Sequence, residues 1–540
     1  MLKGVVFKEL FQKKCWEMRL SNICKKSKFI KIEPIISKIR YLVVILFCLL
    51  STTGSKSQIV YYVDAASGSD ANSGTQSQPF KTITKGLSAL GSNIGTVYLR
   101  AGTYCVSSKI NLSNSGQQDQ YIRIWSYSNE KVIIDFTGNT SDGFSISGNF
   151  YHLKGLDVRL AGHNGILISG NNNIIENCIT RNCSNTGLHL RGSAEPGPSN
   201  NLILNCDSFY NFDSPVGGNA DGFSAKWIVG SGNIFRGCRA YNNSDDGWDL
   251  WMGTGSILID SCYAFRNGVD IWYTGEFNGN GNGFKLGGNS VATPHTVTNC
   301  IAFDNAGNGG KGFDENNNLA GQTLYNCTAF RNERYNYAFN NDPLTTGAHI
   351  IKNCISYLPG LPDAIRNATQ EKNSWQGFTV TENDFKSIDT TGIAAPRNAN
   401  GKIPKSDFLR LKSGSSLIDA GVNVGIAFNG YAPDLGAFEY STSTGLFPPM
   451  PDNNSSLTIT SFPNPFHERT TLILTLPEDS RINLCIYSKV GKKVYERDYQ
   501  YISSVQSQFD IATEKWETGL YICYLRSEEN MFVYKMIKIK

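Results

Sequence analysis

From Asp142 onward the chain repeats one short alternation: a polar residue, a glycine, an aromatic or aliphatic residue, then a polar and an aliphatic position. It reads Asp142-Gly143-Phe144, Asn164-Gly165-Ile166, Thr186-Gly187-Leu188, Asp221-Gly222-Phe223, Asp246-Gly247-Trp248, Asn282-Gly283-Phe284 and Lys311-Gly312-Phe313. A second phrase interleaves with it. A small or polar residue precedes cysteine, and most copies then run through a small residue to an aromatic one. Its cysteines are Cys178, Cys206, Cys238, Cys262, Cys300, Cys327 and Cys354, at intervals of 28, 32, 24, 38, 27 and 27 residues. Self-similarity at this period marks a solenoid. Within each repeat the runs alternate with period two and are separated by Asn, Gly and Asp, which is strand and turn chemistry with no helix between. The pattern predicts an all-β chain: a right-handed parallel β-helix. Cys, Ala and Phe of the second phrase are expected to point inward as ladders, and the corner Asn to bond from coil to coil.

Aligning the glycines of three successive phrases sets a register. Gly222, Gly247 and Gly283 bring Asp221, Asp246 and Asn282 into one column, and Ser224, Asp249 and Lys285 into another. Asp245 stands beside Asp246. Neighbouring strands lie about 4.8 Å apart, so four carboxylates and one lysine are expected to meet on a small outward-facing patch.

The flanks differ from the repeats. Residues 1–58 carry 12 Lys/Arg and 3 Asp/Glu, then an apolar run from Tyr41 to Leu50 and a small, polar stretch to Gln58. This reads as a signal peptide. Its ten apolar residues are too few to span a bilayer, and no membrane span is expected. Residues 59–440 form the expected β-helix domain. Ile83, Leu87 and Leu90 lie on one face of a short helix that would cap its open end. The stretch from Asp407 to Tyr440 would close the other end. Residues 441–456, rich in Ser, Thr, Pro and Asn, read as a linker, and 457–540 as a small β-sandwich.

Charge changes the picture once the leader is set aside. The whole chain has a formal net charge of +4, but residues 59–540 hold 38 basic against 43 acidic residues, a net −5. Nucleic acid therefore lacks an electrostatic warrant as a partner. Of 14 cysteines, 11 follow the leader and seven fall in the repeated phrase, so a buried thiol ladder is favoured over a disulfide scaffold.

Several carboxylates, with too few nearby His or Cys ligands for a zinc site and the cysteines expected to face inward, suit a hard cation such as Ca²⁺, held by Asp221, Asp245, Asp246 and Asp249. A staple between two coils would need the same residues. Lys285 adds chemistry to the site, because an amine beside a divalent cation loses its proton more readily and can serve as a general base. A cation next to a base is what β-elimination on a uronic acid needs. Lys226 and Trp251 share the next column as candidate sugar contacts, and Trp272 and Tyr273 are candidate apolar surface beside Lys285.

At these residues the chain resembles polysaccharide lyase family 9, whose members cleave pectic galacturonans on a right-handed parallel β-helix. The resemblance covers roughly Tyr61 to Tyr440. It implies that Asp221, Asp245, Asp246 and Asp249 bind calcium and that Lys285 is the Brønsted base. The partner it implies is an acidic plant cell-wall polysaccharide, either polygalacturonate or the rhamnogalacturonan I backbone, with Trp272 and Tyr273 inclining toward the latter. The tail, with Phe462-Pro463-Asn464-Pro465-Phe466 near its start, resembles the C-terminal sorting domain of type 9 secretion. A secreted or cell-surface monomer is expected. Two other readings stay open: a pectin glycoside hydrolase on the same fold, with Asp245 and Asp246 as its acid–base pair, and a non-catalytic glycan-binding solenoid. Only a lyase makes a 4,5-unsaturated sugar end.

Overall fold

The structure, a computed structural model, describes residues 59–340, 347–398, 400–440 and most of 458–539, without 463, 465, 476–479, 489–491, 503–506 and 527–530. The proposed leader and linker lie outside the described residues.

Residues 59–371 wind into a right-handed parallel β-helix of three sheets, with 12, 10 and 10 strands. Each coil contributes one strand to each sheet; one coil runs Ile174–Glu176 in the first sheet, Ile179–Arg181 in the third and Leu188–Leu190 in the second. The turn between the first two strands is a single left-handed residue: Asn177, Asn205, Gly237, Ser261, Asn299, Asn326 and Asn353 all have φ between 51° and 64°. Asn and Gly tolerate this conformation best, which explains their recurrence before cysteine. The following cysteines are buried free thiols.

Asparagines bind the coils together at the next corner. The side-chain amide of Asn211 donates to Asn243 Oδ1 at 2.9 Å, Asn243 to Asn267 at 2.9 Å, Asn267 to Asn305 at 3.0 Å and Asn305 to Asn332 at 2.9 Å. All five are fully buried. Each amide is satisfied by the next rung, so removing one leaves its neighbours short of partners at about 1–3 kcal/mol.

The inward aromatics are not those expected. Ala240, Ala264, Ala302 and Ala329 face the interior, and the aromatics beside them in sequence point to the opposite side, as strand alternation requires. Phe209, Tyr241, Phe265 and Phe303 stack at 4.7–4.8 Å along the outer face of the third sheet. The interior stack comes from the glycine phrase: Phe223, Trp248, Phe284, Phe313 and Tyr337, with ring centroids 4.8–5.2 Å apart. That spacing is the strand separation itself, and offset stacking adds about 0.5–1.5 kcal/mol per pair.

Residues 385–437 cover the outward aromatics. From Phe385 against Tyr357 in a late coil, the segment reaches back to Arg397, which pairs with Asp207 at 2.7 Å. It then returns to pack Phe408 on Phe303 and Phe330, and Gly436 N–H donates to Asn353 O at 2.7 Å. The helix Ile83–Leu90 is capped by Thr82 and buries Ile83, Gly86 and Leu90. A Cβ at Gly86 would lie 2.8 Å from Val63 and 3.0 Å from Val97, so the helix sits directly on the first coils. In the C-terminal region, antiparallel sheets of three and four strands enclose a core that includes Phe466, Leu472, Ile486, Cys523 and Met536.

Candidate active site

The glycine phrases form the second sheet, and their register matches the sequence alignment: Ser224 pairs with Asp249, and Asp249 with Lys285. Gly247 is required by close approach. A Cβ there would lie 2.6 Å from Gly283 O, 2.9 Å from Asn267 Nδ2 and 3.1 Å from Ala264 Cβ. The glycine column therefore holds the coils close together, and the flanking residues follow into line.

Asp221, Asp245, Asp246 and Asp249 each place one carboxylate oxygen within 4.8 Å of the others. They face outward from the sheet but are not surface groups; all are 3% exposed or less. Two lysines lie among them. Lys226 Nζ is 2.8 Å from Asp221 Oδ2 and 2.6 Å from Asp249 Oδ2. Lys285 Nζ is 3.0 Å from Asp246 Oδ2 and 3.4 Å from Asp249 Oδ2. Main-chain N–H groups orient the carboxylates: Asn280 donates to Asp245 at 2.7 Å, Asn282 to Asp246 at 2.8 Å and Trp251 to Asp249 at 2.9 Å.

Four carboxylates against two ammonium groups leave two negative charges uncompensated, and the acidities reflect this. Burial, reinforced by Asp249 and Asp246 and opposed by Lys226, pushes Asp221 up to about 7. Burial and the charges of Asp246 and Asp221 push Asp245 well above the carboxylate range. Burial also raises Asp246. Burial would raise Asp249 too, but Lys226 and Lys285 outweigh it and hold it below its ordinary value. For Lys285, burial favours the neutral amine, yet the four aspartates prevail and keep it protonated.

A hard divalent cation fits this donor set. Oxygens on opposite sides of one calcium ion are separated by about 4.6–5.2 Å, which matches the cluster. In the glycine phrases of the same sheet, Asn282 Oδ1 and Ser224 Oγ are buried with no hydrogen-bond partner among the described residues.

A cleft of about 310 Å³ opens next to Lys285, lined by Trp251, Asn280, Asn282, Asn308, Lys311, Asp314, Asn316 and Arg334 among others. Lys311 and Arg334 were not singled out from the sequence. Lys311 continues the column Asp221–Asp246–Asn282, so the register carried its signal; Arg334 sits on a turn and left none. A second cleft of about 170 Å³, with His163, His189, Arg191, Lys226 and Trp227 in its wall, lies toward the earlier coils. Trp272 and Tyr273 line neither cleft. Trp272 stacks on Phe212 at 4.8 Å, because its loop folds back over the loop two coils earlier, and Tyr273 is 90% exposed.

The fold and site define a polysaccharide lyase of the parallel β-helix class. Residues 61–353 match the family described as Pel9A-like, right handed beta helix region, and the chain belongs to that family. Pectate lyase L of Dickeya chrysanthemi is 36% identical over 404 residues, 72% of this chain and 92% of that protein. A crystal structure of pectate lyase Pel9A superposes with a TM-score of 0.67 at 34% identity, covering 71% of this chain and 97% of that one. A structure titled rhamnogalacturonan lyase gives 0.59 at 29% identity, over 66% and 96%. Residues 460–540 match the secretion system C-terminal sorting domain, which marks an extracellular or cell-surface protein. Among the described residues no helix is long and apolar enough to cross a membrane.

Proposed function

We propose that the chain is a calcium-dependent lyase of pectic galacturonate chains, with Lys285 as the Brønsted base. The observation that carries this reading is the position of Lys285: its Nζ lies 3.0 Å and 3.4 Å from two carboxylates of the acidic cluster, at the mouth of a cationic cleft. Asp221, Asp245, Asp246 and Asp249 would hold calcium, which supplies positive charge to draw a uronate carboxylate and to favour loss of the proton at C5. With calcium offsetting the aspartate charge that otherwise keeps Lys285 protonated, the neutral amine of Lys285 takes that proton from C5. The electrons of the C5–H bond form the C4–C5 double bond, the C4–oxygen bond breaks, and the departing oxygen gains a proton from solvent. Lys311 and Arg334 orient the chain through its carboxylates, Trp251 offers a flat face to a sugar ring, and Lys226 is a further cation beside the aspartates.

Trp272 and Tyr273, which favoured a rhamnogalacturonan preference, line neither cleft. The cations that remain beside Lys285 favour a run of consecutive galacturonates. Residues 59–440 are the catalytic domain in this reading, acting as a monomer, with 1–58 as export leader, 441–456 as linker and 457–540 as sorting domain. The test is absorbance of the 4,5-unsaturated product on polygalacturonate and on rhamnogalacturonan I, side by side and with chelator. Polygalacturonate should react faster, and only without chelator. New reducing ends without that absorbance would overturn the lyase reading in favour of a hydrolase.

A further inference from the structure

The three outer faces of the β-helix differ. The second sheet carries the site, and the third lies under residues 385–437. The first sheet presents a run of aromatic rings along its N-terminal coils. Tyr62 stacks on Tyr98 at 5.5 Å, Tyr98 meets Trp125 edge-on at 6.3 Å, and Trp125 meets His152 at 5.0 Å. Tyr127 contacts both Tyr62 and Tyr98 at 5.6 Å. The strand register places Tyr98, Trp125 and Lys154 in one outward column on adjacent strands, with Arg123 and His152 in the next. All of these side chains are half-buried, so the rings keep exposed area.

Cations accompany the rings. The Arg123 guanidinium lies 5.4 Å from the Trp125 ring centre, Lys154 Nζ 5.7 Å from the same ring, and Arg100 5.1 Å from Tyr127. Arg100 is paired to Glu130 at 3.1 Å and Lys154 to Glu176 at 2.9 Å, but Arg123 makes no ion pair among the described residues. A surplus cation on an aromatic face is notable in residues 59–540, whose net charge is −5. The half-buried Tyr rings, apolar in body and polar at the tip, and the exposed part of the Trp125 ring, whose Nε1 is buried, suit ligands that present C–H faces with hydroxyl rims. Sugar rings have that character, and an acidic sugar chain adds the carboxylate that Arg123 lacks.

We infer that this face is a second binding surface for acidic polysaccharide, separate from the cleft beside Lys285, which tethers a polymer without cleaving it. The inference rests on the acidic-substrate reading above. Three coil-to-coil steps of about 4.8 Å separate Tyr62 from His152, room for a short stretch of chain rather than one ring.

The test uses the full chain and polygalacturonate in chelator, where turnover is suppressed, with affinity electrophoresis as the readout. Arg123→Glu should weaken retention by about fivefold or more, and Trp125→Ala should weaken it further. Both should leave the turnover of short galacturonate oligomers with calcium unchanged. Arg123→Glu keeps the proposal testable if Trp125→Ala does not fold. Unchanged retention of a folded Arg123→Glu protein would overturn the inference while leaving the lyase reading intact, since oligomer turnover reports that separately. Equal retention on neutral galactan would also overturn it. So would a change in oligomeric state by sedimentation with polymer retention untouched, which would assign the face to a second copy of the chain.

Discussion

Lys226→Met is the most informative single change at the site. Lys226 is the lysine that bridges Asp221 and Asp249, at 2.8 Å and 2.6 Å. Met keeps the apolar stem and removes the charge. Both carboxylates are 2% exposed or less, so without calcium they lose their shared counter-charge inside the protein. Removing one partner of a buried pair costs about 3–5 kcal/mol. Asp221, already at about 7, can avoid part of that cost by taking up a proton. The loss in chelator should therefore be small at acidic pH and grow on the way to pH 8, by at most about 1.4 kcal/mol per pH unit for one proton. With calcium bound, the carboxylates have another counter-charge and the variant should approach the parent. Its calcium affinity should rise by about tenfold or more, because a positive charge a few ångströms from the ion has gone. Urea midpoints with calcium and with chelator, at several pH values, together with calcium titration calorimetry, measure both effects. A midpoint shift equal in calcium and chelator, or weaker calcium binding, would refute the reasoning. Lys226 would then be scaffolding for the aspartates rather than their counter-ion.

Lys285→Ala should lower turnover by about 10²–10⁴, the usual contribution of a general base, while calcium still binds by calorimetry; Lys285→Arg should fail as well, since guanidinium stays charged. Asp221 binds its proton more tightly folded than unfolded, so in the calcium-free protein its contribution to stability is full below about 3.8 and is lost as pH rises through about 7. Calcium binding should accordingly release protons near pH 6 and tighten toward pH 8, measured by calorimetry in buffers of different ionisation heat. Gly247→Ala should cost at least about 2 kcal/mol and reduce calcium affinity, because the added Cβ would lie 2.6 Å from Gly283 O and push the two coils apart; a urea midpoint equal to the parent's would show that the column can widen freely.

The site was legible where the repeat carried its own ruler. Each glycine phrase fixes its strand, so counting from Gly222, Gly247 and Gly283 placed Ser224, Asp249 and Lys285 side by side, and the strand pairing agrees. The same count would have brought in Lys311, had the column been followed one coil further. Depth was less legible. Column position does not say that Lys226 folds back onto Asp221 and Asp249, because a long side chain chooses its direction from charges that assemble only in the fold. The sidedness of Tyr241, Phe265 and Phe303 was misjudged for a related reason: hydrophobicity marks a residue as covered, and these are covered from outside, by a segment more than 80 residues downstream. Trp272 and Tyr273 lie in an inserted loop, where no periodicity constrains position.

That covering segment bears on how the molecule can vary. A bare solenoid can gain or lose a rung anywhere, since each rung touches only its neighbours. Here residues 385–437 reach from Asn353 and Tyr357 back to Asp207 and return, fastened by Arg397, by Phe408 and by Gly436. A rung inserted between Asp207 and Ile355 would pull these anchor points apart by one strand spacing, about 4.8 Å, and strain every fastening at once. Length change is therefore confined to the coils before Asp207, and the stretch holding Asp221, Asp249 and Lys285 is locked in rung number as a carpenter's brace locks the spacing of studs.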